Sequence, residues 1–138
     1  MEPLCVQTAI DELVARFFSV FDNRNGTRPL LANLVDCFAE KATIVRCSDT
    51  GTELFTVSEF AIPRIDLLSQ GALLDFHEWE IDSTTQVFGG IATRTSRYSK
   101  AGSLNGNPYC GLGTKCFQLV RMGSAWHIAS LAWVDDNA

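Results

Sequence analysis

The sequence predicts an α+β fold in which three N-terminal helices pack on one face of a curved, mostly antiparallel sheet. Three observations predict it. Ile10, Leu13, Val14, Phe17, Phe18 and Phe21 recur at helical spacing near the start. Long stretches of strand-forming residues fill the second half. The last quarter holds two apolar runs, residues 115–122 and 125–134, around Gly123-Ser124. That pair suits a two-residue type II′ hairpin, because glycine supplies the positive φ. Helices first and antiparallel strands after is the order of an α+β domain.

Each element follows from local signals. The Phe-rich stripe predicts a helix over residues 6–21, ended by Asp22-Asn-Arg-Asn-Gly26. Pro29 suits the first turn of a second helix carrying Leu30, Leu31, Leu34, Val35 and Phe38. Residues 42–47 read as a strand, 48–51 as a turn and 52–55 as a short second strand. Thr56-Val-Ser-Glu59 fits a capping box, with Phe55 and Phe60 at the staple positions of a third helix. That helix runs to about residue 69 despite Pro63 and closes at Gly71. Strands over 73–81 and 86–98 follow, joined by a turn at Ser83-Thr84. Gly89-Gly90 then falls mid-strand, where a bulge would help the sheet curl. Residues 100–113 read as a Gly/Asn-rich mobile loop. In the terminal hairpin Met122 pairs with Ala125, Arg121 with Trp126, Leu119 with Ile128 and Phe117 with Ser130. One face then holds Phe117, Leu119, Trp126 and Ile128. The other holds Cys116, Gln118, Val120, His127, Leu131 and Trp133.

The bulk properties narrow the function. A chain of 138 residues fits one domain over 1–138 and buries roughly 70% of its unfolded surface. Net charge −5 argues against nucleic acid, and no apolar run is long enough for a membrane span. The start lacks a basic segment followed by a long apolar one, so a cytoplasmic location is expected. Five cysteines without a C-x-x-C spacing predict reduced, mostly buried thiols, no zinc and no disulfide. The expectation is a protein without metal or cofactor.

If Ser83-Thr84 sets the register, Trp79 pairs with Phe88, His77 with Gly90, Asp75 with Ala92 and Leu73 with Arg94. Trp79 and Phe88 then point coreward and take Asp75, His77 and Arg94 with them, while Glu78 and Glu80 are solvated. Ser96 and Tyr98 keep the same parity. Asp75 and His77 are the candidate catalytic residues: Asp75 can orient the imidazole, which takes or gives a proton. Trp79, Phe88, Arg94, Tyr98 and Trp126 are the candidate pocket, with Arg94 placed for a carboxylate or enolate oxygen. The opposing reading is a structural histidine beside an internal Asp75–Arg94 pair. Asp135-Asp136 reads as a solvated tail.

The element order, and above all Gly113-Thr-Lys-Cys-Phe-Gln-Leu-Val-Arg121 followed by Trp126-His-Ile-Ala-Ser-Leu-Ala-Trp133-Val-Asp-Asp136, resembles the SnoaL-like group of the nuclear transport factor 2-like superfamily. The end looks like the terminal strand pair of small uncharacterised bacterial members. The resemblance covers nearly the whole chain. It implies a cone-shaped fold enclosing a pocket, frequent dimers, and functions ranging from isomerases, dehydratases and polyketide cyclases to non-enzymatic binding proteins. The groups of ketosteroid isomerase-like members do not align as a full set. Scytalone dehydratase-like members use His and Asp, but no motif ties those roles to positions here. Two classes stay open: a pocket for a small, mostly apolar ligand, with acid–base isomerase, dehydratase or cyclase chemistry, or a non-catalytic ligand-binding or dimerisation domain. A homodimer through the face of Gln118, Val120, Leu131 and Trp133 is expected.

Overall fold

The computed structural model describes residues 3–136. The chain runs α1 (Pro3–Ser19), a 3₁₀ turn (Arg24–Gly26), α2 (Leu31–Val35), β1 (Phe38–Ser48), β2 (Gly51–Phe55), α3 (Val57–Ser69), β3 (Leu73–Phe88), β4 (Ile91–Leu104), β5 (Asn107–Met122) and β6 (Ala125–Asp135). The strands form one sheet in the order β2-β1-β6-β5-β4-β3. Every pairing is antiparallel except β1 with β6. Three helices on a mostly antiparallel sheet is the predicted α+β architecture.

The helices sit where local chemistry puts them. The stripe on α1 is buried to the last residue, and the Phe17 ring meets Phe18, Phe21, Phe38 and Phe117 edge-on at 5.2 to 6.0 Å between centroids. Such contacts add about 1 kcal/mol each beyond area burial. The capping box of α3 forms in both directions. The Glu59 amide donates to Thr56 Oγ1 at 3.2 Å, and the Thr56 amide donates to Glu59 Oε1 at 2.8 Å. Phe55 and Phe60 close the staple at 6.4 Å. Pro63 lies inside α3 without ending it. The second helix is shorter than its apolar pattern suggests, and Phe38 opens β1 instead.

The sheet differs from the sequence reading in three places. First, β3 runs unbroken through Ser83-Thr84 and turns at Gly89-Gly90, where Phe88 pairs with Ile91. Gly89 takes φ +58°, a value that costs glycine nothing and suits the first position of a tight hairpin. Ser83 and Thr84 are ordinary strand residues there. Second, residues 100–113 are no mobile loop: β4 and β5 continue across them to a turn at Asn105-Gly106, both at positive φ. Asn-Gly is the strongest pair for a type I′ turn. Third, the terminal hairpin keeps the Met122–Ala125 and Leu119–Ile128 pairs, but a bulge beyond Leu119 sets Gln118 against Ser130 and Phe117 against Leu131. Leu131 and Trp133 thereby join the buried face with Phe117 and Leu119. Trp133 packs within its own chain, stacked on Phe55 and edge-on to Phe60, and is not part of a dimer face.

Candidate functional site

A cavity of about 340 Å³ opens between α3 and the inner face of the sheet. Phe21, Phe60, Phe76, Tyr98, Tyr109 and Trp133 supply its aromatic walls. Leu67 and Pro63, exposed on α3, mark its mouth. The chain as a whole carries −5, yet this wall holds Arg46, Arg64, Lys100 and Lys115 against only Glu78 and Asp135. The wall thus carries a local cation excess in an acidic protein, an electrostatic setting that attracts negative charge.

Strand register builds the polar wall. Lys115 lies on β5 in the parity of Phe117 and Leu119, so it points into the core rather than to water. Its Nζ sits 4.1 Å from the Tyr98 ring centroid, 5.3 Å from that of Trp133 and 3.4 Å from Glu78 Oε1. Burial pushes the Lys115 ammonium below its ordinary range, and the nearby carboxylate of Glu78 offsets only part of this. Glu78 Oε1 is itself buried and accepts no hydrogen bond of good geometry. A charge pair held out of water with an unfilled acceptor is costly unless a ligand completes it.

Beside it, the Tyr98 hydroxyl makes a very short hydrogen bond to Asp135 Oδ1. Lys100 reaches Asp135 Oδ2 at 3.2 Å and Tyr109 Oη at 3.3 Å. Burial, and then the Asp135 bond, push the Tyr98 phenol well above its usual value. Burial raises the Asp135 carboxyl, but Tyr98 and Lys100 outweigh it and hold the group below the usual carboxylate range. Gly113 makes this geometry possible. A Cβ there would stand 2.6 Å from Tyr98 Cζ and 2.6 Å from the Val134 carbonyl oxygen. Arg64 completes the wall. Its guanidinium lies 4.4 Å from the Phe60 centroid and 5.1 Å from that of Trp133, and donates to the Phe60 carbonyl at 3.1 Å. Among the described residues no carboxylate forms a salt bridge with it.

A second polar cluster lies in an open cleft between α1 and β3. The Arg94 guanidinium grips Glu80 with Nε at 3.1 Å and Nη2 at 2.6 Å, while Nη1 donates to Asp11 at 2.6 Å and Thr85 at 3.1 Å. The buried Ser96 hydroxyl donates to Glu80 at 2.5 Å.

The predicted site residues therefore divide. Tyr98 lines the cavity beside α3, whereas Arg94 is buried in the second cluster and lines the larger, more open α1–β3 cleft. His77 and Trp79 stack on each other at 4.4 Å along the α1–β3 cleft, and Phe88 is exposed at the end of its hairpin. Trp126 is buried but lines none of these cavities. Asp75 is exposed in a bulge at φ +51° and lines neither cavity, so the Asp75–His77 pair is assembled in neither. The reason is register. Shifts between Leu74 and His77 and between Glu80 and Asp82 exchange the faces of the strand, so Glu78 and Glu80 turn inward. The residues missed were Glu78, Lys100, Tyr109, Lys115, Asp135 and Arg64. One signal for Lys115 was present: it shares parity with Phe117 and Leu119 on the face already identified as core.

No protein-family model matches the chain, and no curated protein matches it. Solved structures do. A nuclear transport factor 2-like superfamily protein from Salmonella enterica superposes with TM-score 0.79 at 12% identity, over 99% of this chain and 95% of that one. A putative aromatic ring hydroxylase from Novosphingobium aromaticivorans gives TM-score 0.79 at 11% identity, over 100% and 94%. A protein of unknown function with a cystatin-like fold from Nostoc punctiforme gives 0.70 at 17%, over 96% and 92%. Identities this low speak to architecture and not to activity. With its helices, strand order and cavity in place, the chain has the nuclear transport factor 2-like fold.

Proposed function

We propose that the cavity binds a small ligand with a mostly apolar body and one anionic group, and that Glu78 and Lys115 carry out acid–base chemistry of the isomerase, dehydratase or cyclase kind on it. The observation that carries this reading is the buried Lys115–Glu78 pair, which faces the cavity at 3.4 Å with Glu78 Oε1 unsatisfied. Arg64 seats the anion, because its guanidinium has aromatic neighbours and no carboxylate partner among the described residues. The aromatic walls hold the apolar body. Glu78 and Lys115 exchange a proton with the ligand. The Tyr98 hydroxyl, held protonated by burial and by its donation to Asp135, gives its one proton to that carboxylate and leaves its oxygen as an acceptor for a donor on the ligand.

Titration of Trp fluorescence with benzoate and with benzamide tests it. Trp133 alone of the three tryptophans lines the cavity, so benzoate should change the emission and Trp133→Phe should remove the change. Equal response to benzamide, or none to either at millimolar concentration, overturns the reading. A binding protein without turnover is the second reading, and it would use the same cavity.

We also propose that the outer face of the sheet pairs with a second copy of the chain. Leu112 and Val134 are 44% and 40% exposed there, beside Cys116 and Gln118. Light scattering at micromolar concentration should report a dimer.

A further inference from the structure

We infer that Lys115 is a nucleophile that forms an imine with a carbonyl carbon of the bound ligand, which makes the ligand class a small aldehyde or ketone bearing a carboxylate. The inference rests on the proposed anion-binding cavity and goes beyond it by naming a covalent step.

Four features of the geometry converge. Lys115 Nζ is buried on the cavity wall with its side chain only 7% exposed. Its surroundings are ring faces of Tyr98, Trp133 and Phe17, at 4.1, 5.3 and 5.9 Å, which solvate an ammonium far less well than water does. Among the described residues Glu78 is the one carboxylate in ion-pair contact with it, at 3.4 Å, which is long for a charge-assisted hydrogen bond, and Asp135 acts on it from farther off. Arg64 touches the same Trp133 ring, with its guanidinium carbon 5.1 Å from the centroid, so anion seat and amine lie within the span of one small molecule. Lys100 also lines the cavity but is held by Asp135 and Tyr109, which raise its pKa against the effect of burial, so it stays an ammonium. Desolvation in an apolar pocket or beside another cation is the standard route to a nucleophilic lysine, and Lys115 has both the aromatic walls and Lys100 on the same cavity.

The step balances within the pair. With the shared proton on Glu78, the neutral Lys115 amine attacks the carbonyl carbon. The C–N bond forms, and Glu78 gives its proton to the carbonyl oxygen. Glu78 then takes a proton from the new ammonium to leave a neutral carbinolamine, and returns it to the hydroxyl. The C–O bond breaks, water leaves, and an iminium remains opposite the Glu78 carboxylate. Nothing is oxidised or reduced. The iminium withdraws electrons from the adjacent C–H or C–C bond, as isomerisation or dehydration requires.

The chain has three lysines, Lys41, Lys100 and Lys115, which makes the test clean. The full chain is incubated with 4-carboxybenzaldehyde and sodium cyanoborohydride at neutral pH, and the secondary amine is located by peptide mass mapping. The expected result is modification of Lys115 about tenfold or more faster than of the exposed Lys41. Glu78→Gln should slow it, and benzaldehyde should label more slowly than its carboxylated analogue. Labelling of Lys41 or Lys100 with Lys115 left intact overturns the inference. Because that readout is on the unmutated protein, it does not depend on a Lys115 variant folding. Trp133 emission recorded without reductant separates the two claims. A response to the aldehyde without a Lys115 adduct refutes the imine and leaves the binding reading standing. No response and no adduct refutes both.

Discussion

Two charge clusters lie inside this small domain, built from the same residue types on neighbouring strands, and they behave differently. Around Arg94 the account closes. The guanidinium meets Glu80, Asp11 and Thr85, and Ser96 fills a further Glu80 lone pair, all at 2.5 to 3.1 Å. Around Lys115 it does not. The ion pair is long, Glu78 Oε1 has no hydrogen bond, and Arg64 meets, among the described residues, π faces and one carbonyl. A satisfied buried network specifies structure, whereas one with unfilled capacity facing a cavity holds that capacity for something else. Lys115 and Arg94 are almost equally buried, at 6% and 5% exposed, so burial alone does not separate structure from function. In the reading proposed above, completeness of the hydrogen bonding beside a cavity does.

The comparison breaks most sharply by mutation. Arg94→Met should cost about 2–3 kcal/mol of unfolding free energy, the low end for a broken pair because Glu80 keeps some solvent. It should leave the benzoate response unchanged. Urea melts with parallel titrations check both halves, and a lost response would move the site to the α1–β3 cleft. Arg64→Met should do the reverse. It should lower benzoate affinity by roughly 30-fold, equivalent to about 2 kcal/mol, with little change in the melt.

Asp135→Asn sharpens the difference on the pH axis. The Asp135 carboxyl is depressed in the folded state, so its stabilising effect is present above the ordinary value of 3.8 and is lost as the pH falls below it. The variant should be about 1 kcal/mol less stable at neutral pH and should lose less than the parent on acidification. Melts at a series of acid pH values decide; identical slopes would show that the Tyr98–Asp135 bond contributes nothing. The smallest effect is chemical and needs no mutation. Cys37 is buried, with its thiol pushed up to about 11, and should resist alkylation until unfolding, whereas Cys5, Cys47 and Cys110 are exposed and should react. The sequence predicts mostly buried thiols, yet Cys37 alone of the five is buried, and Cys116 is exposed on the outer face of β5. Its protection at high protein concentration would mark the dimer contact.

Much of the fold was legible because it is local. The Phe stripe of α1, the Thr56–Glu59 capping box and the Gly123-Ser124 turn each depend on residues a few positions apart, and each forms as the spacing implies. The site was less legible because parity along a strand is fragile. The strained Asp75 and the irregularity after Glu80 exchange the faces of β3, sending Glu78 to the cavity and leaving Asp75 in solvent. Tyr98 keeps the inward parity of Ala92 that the spacing implies because β4 carries no bulge between them.

By itself the sequence determined the class of fold, the helix starts, the tight turns and the inward face of Phe117 and Leu119, all of which follow from backbone preference and hydrophobic period. Only the tertiary structure decided which charges meet. Lys115 and Glu78 sit on β5 and β3, two strands apart across β4, and Asp135 reaches Tyr98 from the last strand. Such contacts depend on bulges and on sheet order summed over the whole domain, and no local spacing encodes them.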